Sequence, residues 1–109
     1  MENLTVRLDD STTPPVLKIE GEIDLATTDD LGAALERVLT DTPDVVVDLE
    51  GVTFIGVAGV RVCLGAAAAL NGAGPLRFVN APRLAWLLDV IGLQAVDTIE
   101  IREAGLRVC

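Results

Sequence analysis

The apolar residues of this chain switch back and forth between a spacing of two and the 3.6-residue spacing of a helix, and that alternation limits its fold more than any other feature. Leu4-Thr5-Val6-Arg7-Leu8 alternates apolar with polar, the mark of a half-buried strand. Asp9 to Pro15 is rich in turn formers, and Val16 to Ile23 then resumes the alternation, so an antiparallel hairpin is expected. From Asp24 the pattern changes. Thr27 or Thr28 can serve as N-cap, and Asp29 and Asp30 suit the positive end of a helix dipole. Leu31, Ala34, Leu35, Val38 and Leu39 then fall on one helical stripe, which Thr40-Asp41-Thr42-Pro43 ends.

Val45 to Leu49 is a β-branched run, as expected of a central parallel strand covered on both faces. Glu50-Gly51 interrupts it, and Val52-Thr53-Phe54-Ile55 leads into a second helix that starts near Val57 to Gly59 and reaches Leu70. Val60, Cys63, Leu64 and Ala67 share one face of that helix, and Asn71 to Pro75 stops it. Leu76 to Val79 is a further strand. Pro82 suits the first turn of a third helix, and Gly92 suits the position just past its end. Ile99-Glu100-Ile101 and Leu106-Arg107-Val108 read as short strands or tail. Strands alternating with helices imply one α/β domain over residues 1–109, with a mixed, mostly parallel sheet, a leading antiparallel hairpin and helices packed on it.

Composition narrows the function. Eight Lys plus Arg stand against seventeen Asp plus Glu, a net charge of −9, which argues against nucleic acid as partner. With no histidine in the chain, neither a Ser-His-Asp nor a Cys-His pair can form, and two cysteines are too few for a metal site. The expectation is a protein that is not an enzyme and carries no cofactor and no metal. Asp9-Asp10 and Asp29-Asp30 read as loop and helix-start charges. The N-terminal residues lack the basic start and apolar run of a signal peptide. Val52 to Leu70 has about the length of a membrane span but carries Arg61 and three glycines, so no membrane insertion and a cytoplasmic location are expected.

Two blocks point further. Gly21-Glu22-Ile23-Asp24-Leu25-Ala26-Thr27 and Val46-Val47-Asp48-Leu49-Glu50-Gly51-Val52-Thr53-Phe54-Ile55, with Gly59 and Leu87 to Leu93, resemble the STAS domain of anti-sigma factor antagonists. The resemblance runs from about Leu4 to Ile101. It implies a STAS-like domain whose partner is an anti-sigma factor of the serine kinase type, in bacterial transcription regulation. In that family a loop reading Phe-apolar-Asp-Ser-Ser-Gly opens a helix, and the partner kinase phosphorylates the serine before the glycine. Here the same stretch reads Phe54-Ile55-Gly56-Val57-Ala58-Gly59. Ala58 holds the acceptor position without a hydroxyl, Val57 replaces the other serine and Gly56 the aspartate. Ser11, the chain's one serine, lies far off in sequence.

The resemblance therefore implies an antagonist that binds an anti-sigma factor through Asp24, Gly56, Val57, Ala58, Gly59 and Arg61, frees a sigma factor, and escapes phosphorylation. The alternative is a STAS accessory subunit of a transporter ATPase or a small-ligand sensor. Single residues carry two readings. Asp24 is a partner contact or a turn cap, Arg61 a contact or a solvated charge, and Thr53 a substitute acceptor or a plain strand residue. Trp86 reads as core or edge cover, with an interface anchor as its alternative. Cys63 reads as a buried structural cysteine. A bridge to Cys109 would supply a redox switch in place of the phosphate.

Overall fold

The alternating runs become β1 (Leu4–Asp9), β2 (Val16–Ile23), α1 (Thr28–Asp41), β3 (Val46–Ile55), α2 (Val57–Ala68), β4 (Leu76–Val79), α3 (Pro82–Val90) and β5 (Ile99–Arg102). The computed structural model describes residues 4–70, 75–92 and 99–102. The sheet runs β1-β2-β3-β4-β5, with β1 antiparallel to β2 and each later pair parallel. The leading hairpin and the mostly parallel sheet therefore stand as the sequence implies. Leu106 to Val108 lies outside the described residues.

Strand order follows chain order, so crossovers of the usual right hand place all three helices on one face of the sheet. They form a single layer in which α1 packs on α2 and α2 on α3. On that side one row crosses all five strands, with Leu8, Leu17, Val47, Phe78 and Ile101 as successive partners. Its middle three members are fully buried, and each such side chain contributes about 1.5–3 kcal/mol. Leu31, Ala34, Leu35 and Leu39 of α1 close over the sheet, and so do Val60, Cys63 and Ala67 of α2. Leu64 is only half-buried.

Among the described residues the opposite face carries no helix, and it is charged. Arg7, Lys18, Glu20, Asp48, Glu50 and Arg77 are exposed or half-buried there. Coverage of β3 on both faces is thus corrected: the parallel strand is solvated on one side, because sequential strand order leaves no helix to cover it. A second correction concerns Glu50-Gly51, which does not interrupt β3. The strand runs unbroken for 10 residues and takes up two extra residues against β2, one between Asp48 and Gly51 and one between Val52 and Phe54. Each extra residue flips the alternation of faces. Leu49, Val52 and Ile55 are consequently the buried positions of this half-strand. Such a spacing of three looks helical in sequence.

The stretch from Val52 to Leu70 resolves into the end of β3 followed by α2, which stops at Ala68. Among the described residues no helix is long and apolar enough to cross a membrane. Pro82 opens α3, and Gly92, with φ +82°, follows its end.

Candidate functional site

The two sequence blocks meet where β2 and β3 end side by side. Ile23 and Ile55 are cross-strand partners, and the Gly56 N–H donates to the Ile23 carbonyl at 3.0 Å. Two strand-to-helix turns leave from this point, β2 into α1 and β3 into α2.

Side chains hold the first turn. Asp24 Oδ1 accepts the N–H groups of Ala26 at 3.0 Å and Thr27 at 3.2 Å. Thr27 is 6% exposed; its hydroxyl donates to the Glu22 carbonyl at 2.8 Å and accepts the Asp24 N–H at 3.0 Å. Thr27 does occupy the N-cap position, but its side chain caps no helical N–H. Its oxygen is turned back towards the strand, where buried backbone groups need partners. Asp24 thus serves its own turn while remaining half-buried at the surface.

The second turn has no polar side chain at all. Gly56 is the N-cap of α2 in extended conformation, and its carbonyl accepts the N–H groups of Gly59 at 3.0 Å and Val60 at 3.2 Å. Val57 is exposed and Ala58 half-buried. Gly59 faces inward. A methyl there would run into Ile23 Cγ2 and come within 3.1 Å of Ile55 Cγ1, so glycine lets α2 lie directly on the strand ends. Arg61 is exposed on α2 and makes no ion pair among the described residues. Around the two turns Glu22, Asp24, Asp29 and Asp30 outnumber the cations among the described residues, Arg61 on α2 and Arg83, which donates to the Val52 carbonyl at 3.1 Å, and the site has a negative rim.

The remaining residues singled out in the sequence fall elsewhere. Ser11 sits in the β1–β2 loop at the far end of β2, where its hydroxyl donates to Asp9 Oδ1 at 2.6 Å. Thr53 is exposed within β3, and its hydroxyl donates to the Gly21 carbonyl at 3.3 Å. Cys63 is buried, and desolvation pushes its thiol up to about 12, far from the thiolate that reactivity requires. Cys109 lies outside the described residues. Trp86, read as core or edge cover, is 64% exposed instead, since Leu84 and Leu88 already fill the inward face of α3. A groove of about 430 Å³ between α1 and α2 is lined by Glu36 but by no cation and by no residue of the two turns.

Two surface residues at the site escaped the sequence reading. Leu25 is 81% exposed and Phe54 51% exposed. Leu25 announces itself only as an apolar residue caught between the turn-forming Asp24 and Thr27. Phe54 would share the inward face with Val52 by simple alternation, and only the extra residue at Thr53 turns it outward.

Residues 6–103 match the family model described as Mlab, STAS domain. Over 62 residues the chain is 39% identical to the anti-sigma-F factor antagonist RsfB of Mycobacterium tuberculosis, a match covering 56% of this chain and 51% of RsfB. The chain thus spans about half the length of the curated relatives it matches. An anti-sigma factor antagonist from Mycobacterium paratuberculosis superposes with a TM-score of 0.73 at 26% identity, over 89% of this chain and 85% of that one. The anti-sigma factor antagonist SpoIIAA in its unphosphorylated form superposes with a TM-score of 0.66 over 95% of this chain and 93% of its own, and at 18% identity shows the shared fold alone.

Proposed function

The chain belongs to the STAS domain family, and from that premise we propose that it is an anti-sigma factor antagonist working without a phosphorylation switch. The observation that carries this reading is the β3–α2 turn. The fold there is intact, while Gly56, Val57 and Ala58 offer no hydroxyl and no carboxylate. A serine kinase needs a hydroxyl to phosphorylate, and the hydroxyl nearest in sequence, on Thr53, is held against the Gly21 carbonyl within the strand. The antagonist would bind its partner by competition, releasing a sigma factor in the cytoplasm, and its affinity would not answer to ATP.

The proposed contact surface consists of Asp24, Gly56, Val57, Ala58 and Arg61, with Gly59 acting from beneath by setting how closely α2 sits on the strand ends. The negative rim suits a partner with Lys or Arg around its own contact, which speeds encounter and selects against acidic competitors. The partner would be an anti-sigma factor of the serine kinase type. Redox control in place of the phosphate finds no support at Cys63, whose thiol is buried and held protonated.

Calorimetric titration of the purified chain against each anti-sigma factor of the source organism, with and without ATP, tests the proposal. Saturable binding with the same Kd in both conditions is expected. Failure to bind any of them would refute it, and binding to a transporter ATPase subunit instead would favour the accessory-subunit reading.

A further inference from the structure

We infer that Leu25, Phe54 and Val57 form an apolar anchor that seats in an apolar pocket bordered by Lys and Arg on the anti-sigma partner. The inference rests on the antagonist reading above and adds how the contact is made. Scattered exposed apolar residues are ordinary on any protein, but these three share one end of the sheet. They are 81%, 51% and 46% exposed, respectively, and the Gly56–Ile23 backbone bond holds together the strand ends that carry them.

Each is turned outward by a distinct local device. Leu25 is held out because the Asp24 carboxylate and the Thr27 hydroxyl close the turn around it. Phe54 faces outward because β3 takes up an extra residue just before it. Its ring lies beside Gly56, where a Cβ would come within 3.4 Å of Phe54 Cε2. Val57 stands where the family has a serine, so apolar surface is exposed at the position where others carry a hydroxyl.

Charge complementarity selects the occupant. Glu22 is the cross-strand partner of Phe54, and Asp24, Asp29 and Asp30 lie at the surface of the adjoining turn and first helical turn. Acidic groups thus outnumber the cations described near the anchor, Arg61 and Arg83, the latter bonded to the Val52 carbonyl. A partner pocket bordered by cations would therefore be both attracted and correctly oriented. Another exposed apolar group, Trp86 and Val90 on α3 with Ile91 just past its end, has Arg83 and Asp89 beside it in sequence, one charge of each sign, and it serves as the internal control.

The test is binding kinetics. The probes are the purified Mycobacterium tuberculosis anti-sigma-F factor, the kind of protein RsfB's name says it antagonises, and the anti-sigma factors of the source organism. Leu25→Ser, Phe54→Ser and Val57→Ser should each speed dissociation about tenfold or more while changing association little. Glu22→Gln should slow association about two- to fivefold at low salt, an effect that fades as salt rises. Trp86→Ser should change neither rate. All these positions are exposed, so circular-dichroism melts should stay close to wild type. Anchor variants that bind within twofold of wild type, or a loss confined to Trp86→Ser, would overturn the anchor and leave the antagonist reading standing. Wild-type protein that binds none of the probes would overturn both.

Discussion

The two turns that build the site leave adjacent strands at the same end of the sheet, yet they are held by different forces. The β2–α1 turn is tied by side chains: one carboxylate accepts two backbone N–H groups, and a buried hydroxyl satisfies a carbonyl and an N–H. The β3–α2 turn has only backbone bonds and the close seat of Gly59 on Ile23 and Ile55. What differs is where each turn keeps its chemistry. The first spends its polar atoms on structure, so they cannot be removed cheaply. The second rests on packing, so the positions that carry polar groups in the family can be lost without loss of fold.

Substitutions at the two turns should therefore differ in what they cost. The largest effect is expected at Gly59→Ala, where the added methyl meets two buried isoleucines. Overpacking of this kind costs about 3 kcal/mol, measured as a lowered midpoint in urea unfolding. A loss below about 0.5 kcal/mol, the range of neutral surface changes, would mean that the close seat is not what holds the second turn. Next comes Thr27→Val, which keeps the shape but leaves the Glu22 carbonyl and the Asp24 N–H without their partner. A loss of about 2 kcal/mol is expected in the same assay. Asp24→Ala, which removes an acceptor from a half-exposed position, should cost about 1 kcal/mol.

At the second turn the reverse substitutions should hardly register in stability. Ala58→Ser is expected to stay within about 0.5 kcal/mol of wild type, as a surface change. Gly56→Asp should gain only a few tenths of a kcal/mol as an N-cap. A gain above about 1 kcal/mol in either, the size of a full cap contribution, would show that the second turn lacks a polar group it needs and would erase the contrast.

Much of this was legible in the sequence, and the failures share a cause. Strands and helices followed from periodicity, since each element buries one face: the stripe from Leu31 to Leu39 and the alternation from Val16 to Ile23 needed no tertiary information. The absence of a polar tip was legible too, because a missing hydroxyl is a matter of residue identity. What stayed hidden depended on neighbours in space. The second half of β3 buries Leu49, Val52 and Ile55, and only its pairing with β2 shows why that spacing belongs to a strand. Phe54 and Leu25 became visible as surface only once that pairing and the Asp24–Thr27 bonds were known. Thr27 looked like a helix cap because its residue type suits one, and the competing claim of the Glu22 carbonyl is a contact across the turn that no local rule supplies. Trp86 points outward because its neighbours had already filled the core.

A second turn that binds without being switched should keep its partner in the presence of ATP. Wild-type protein and the Ala58→Ser variant are incubated with the anti-sigma kinase that binds them, with and without ATP, and followed by intact mass alongside the Kd. The expected result is no added phosphate and an unchanged Kd for wild type, while Ala58→Ser gains one phosphate and weakens in ATP. Phosphate on the wild-type chain, or ATP-dependent release of its partner, would contradict the claim.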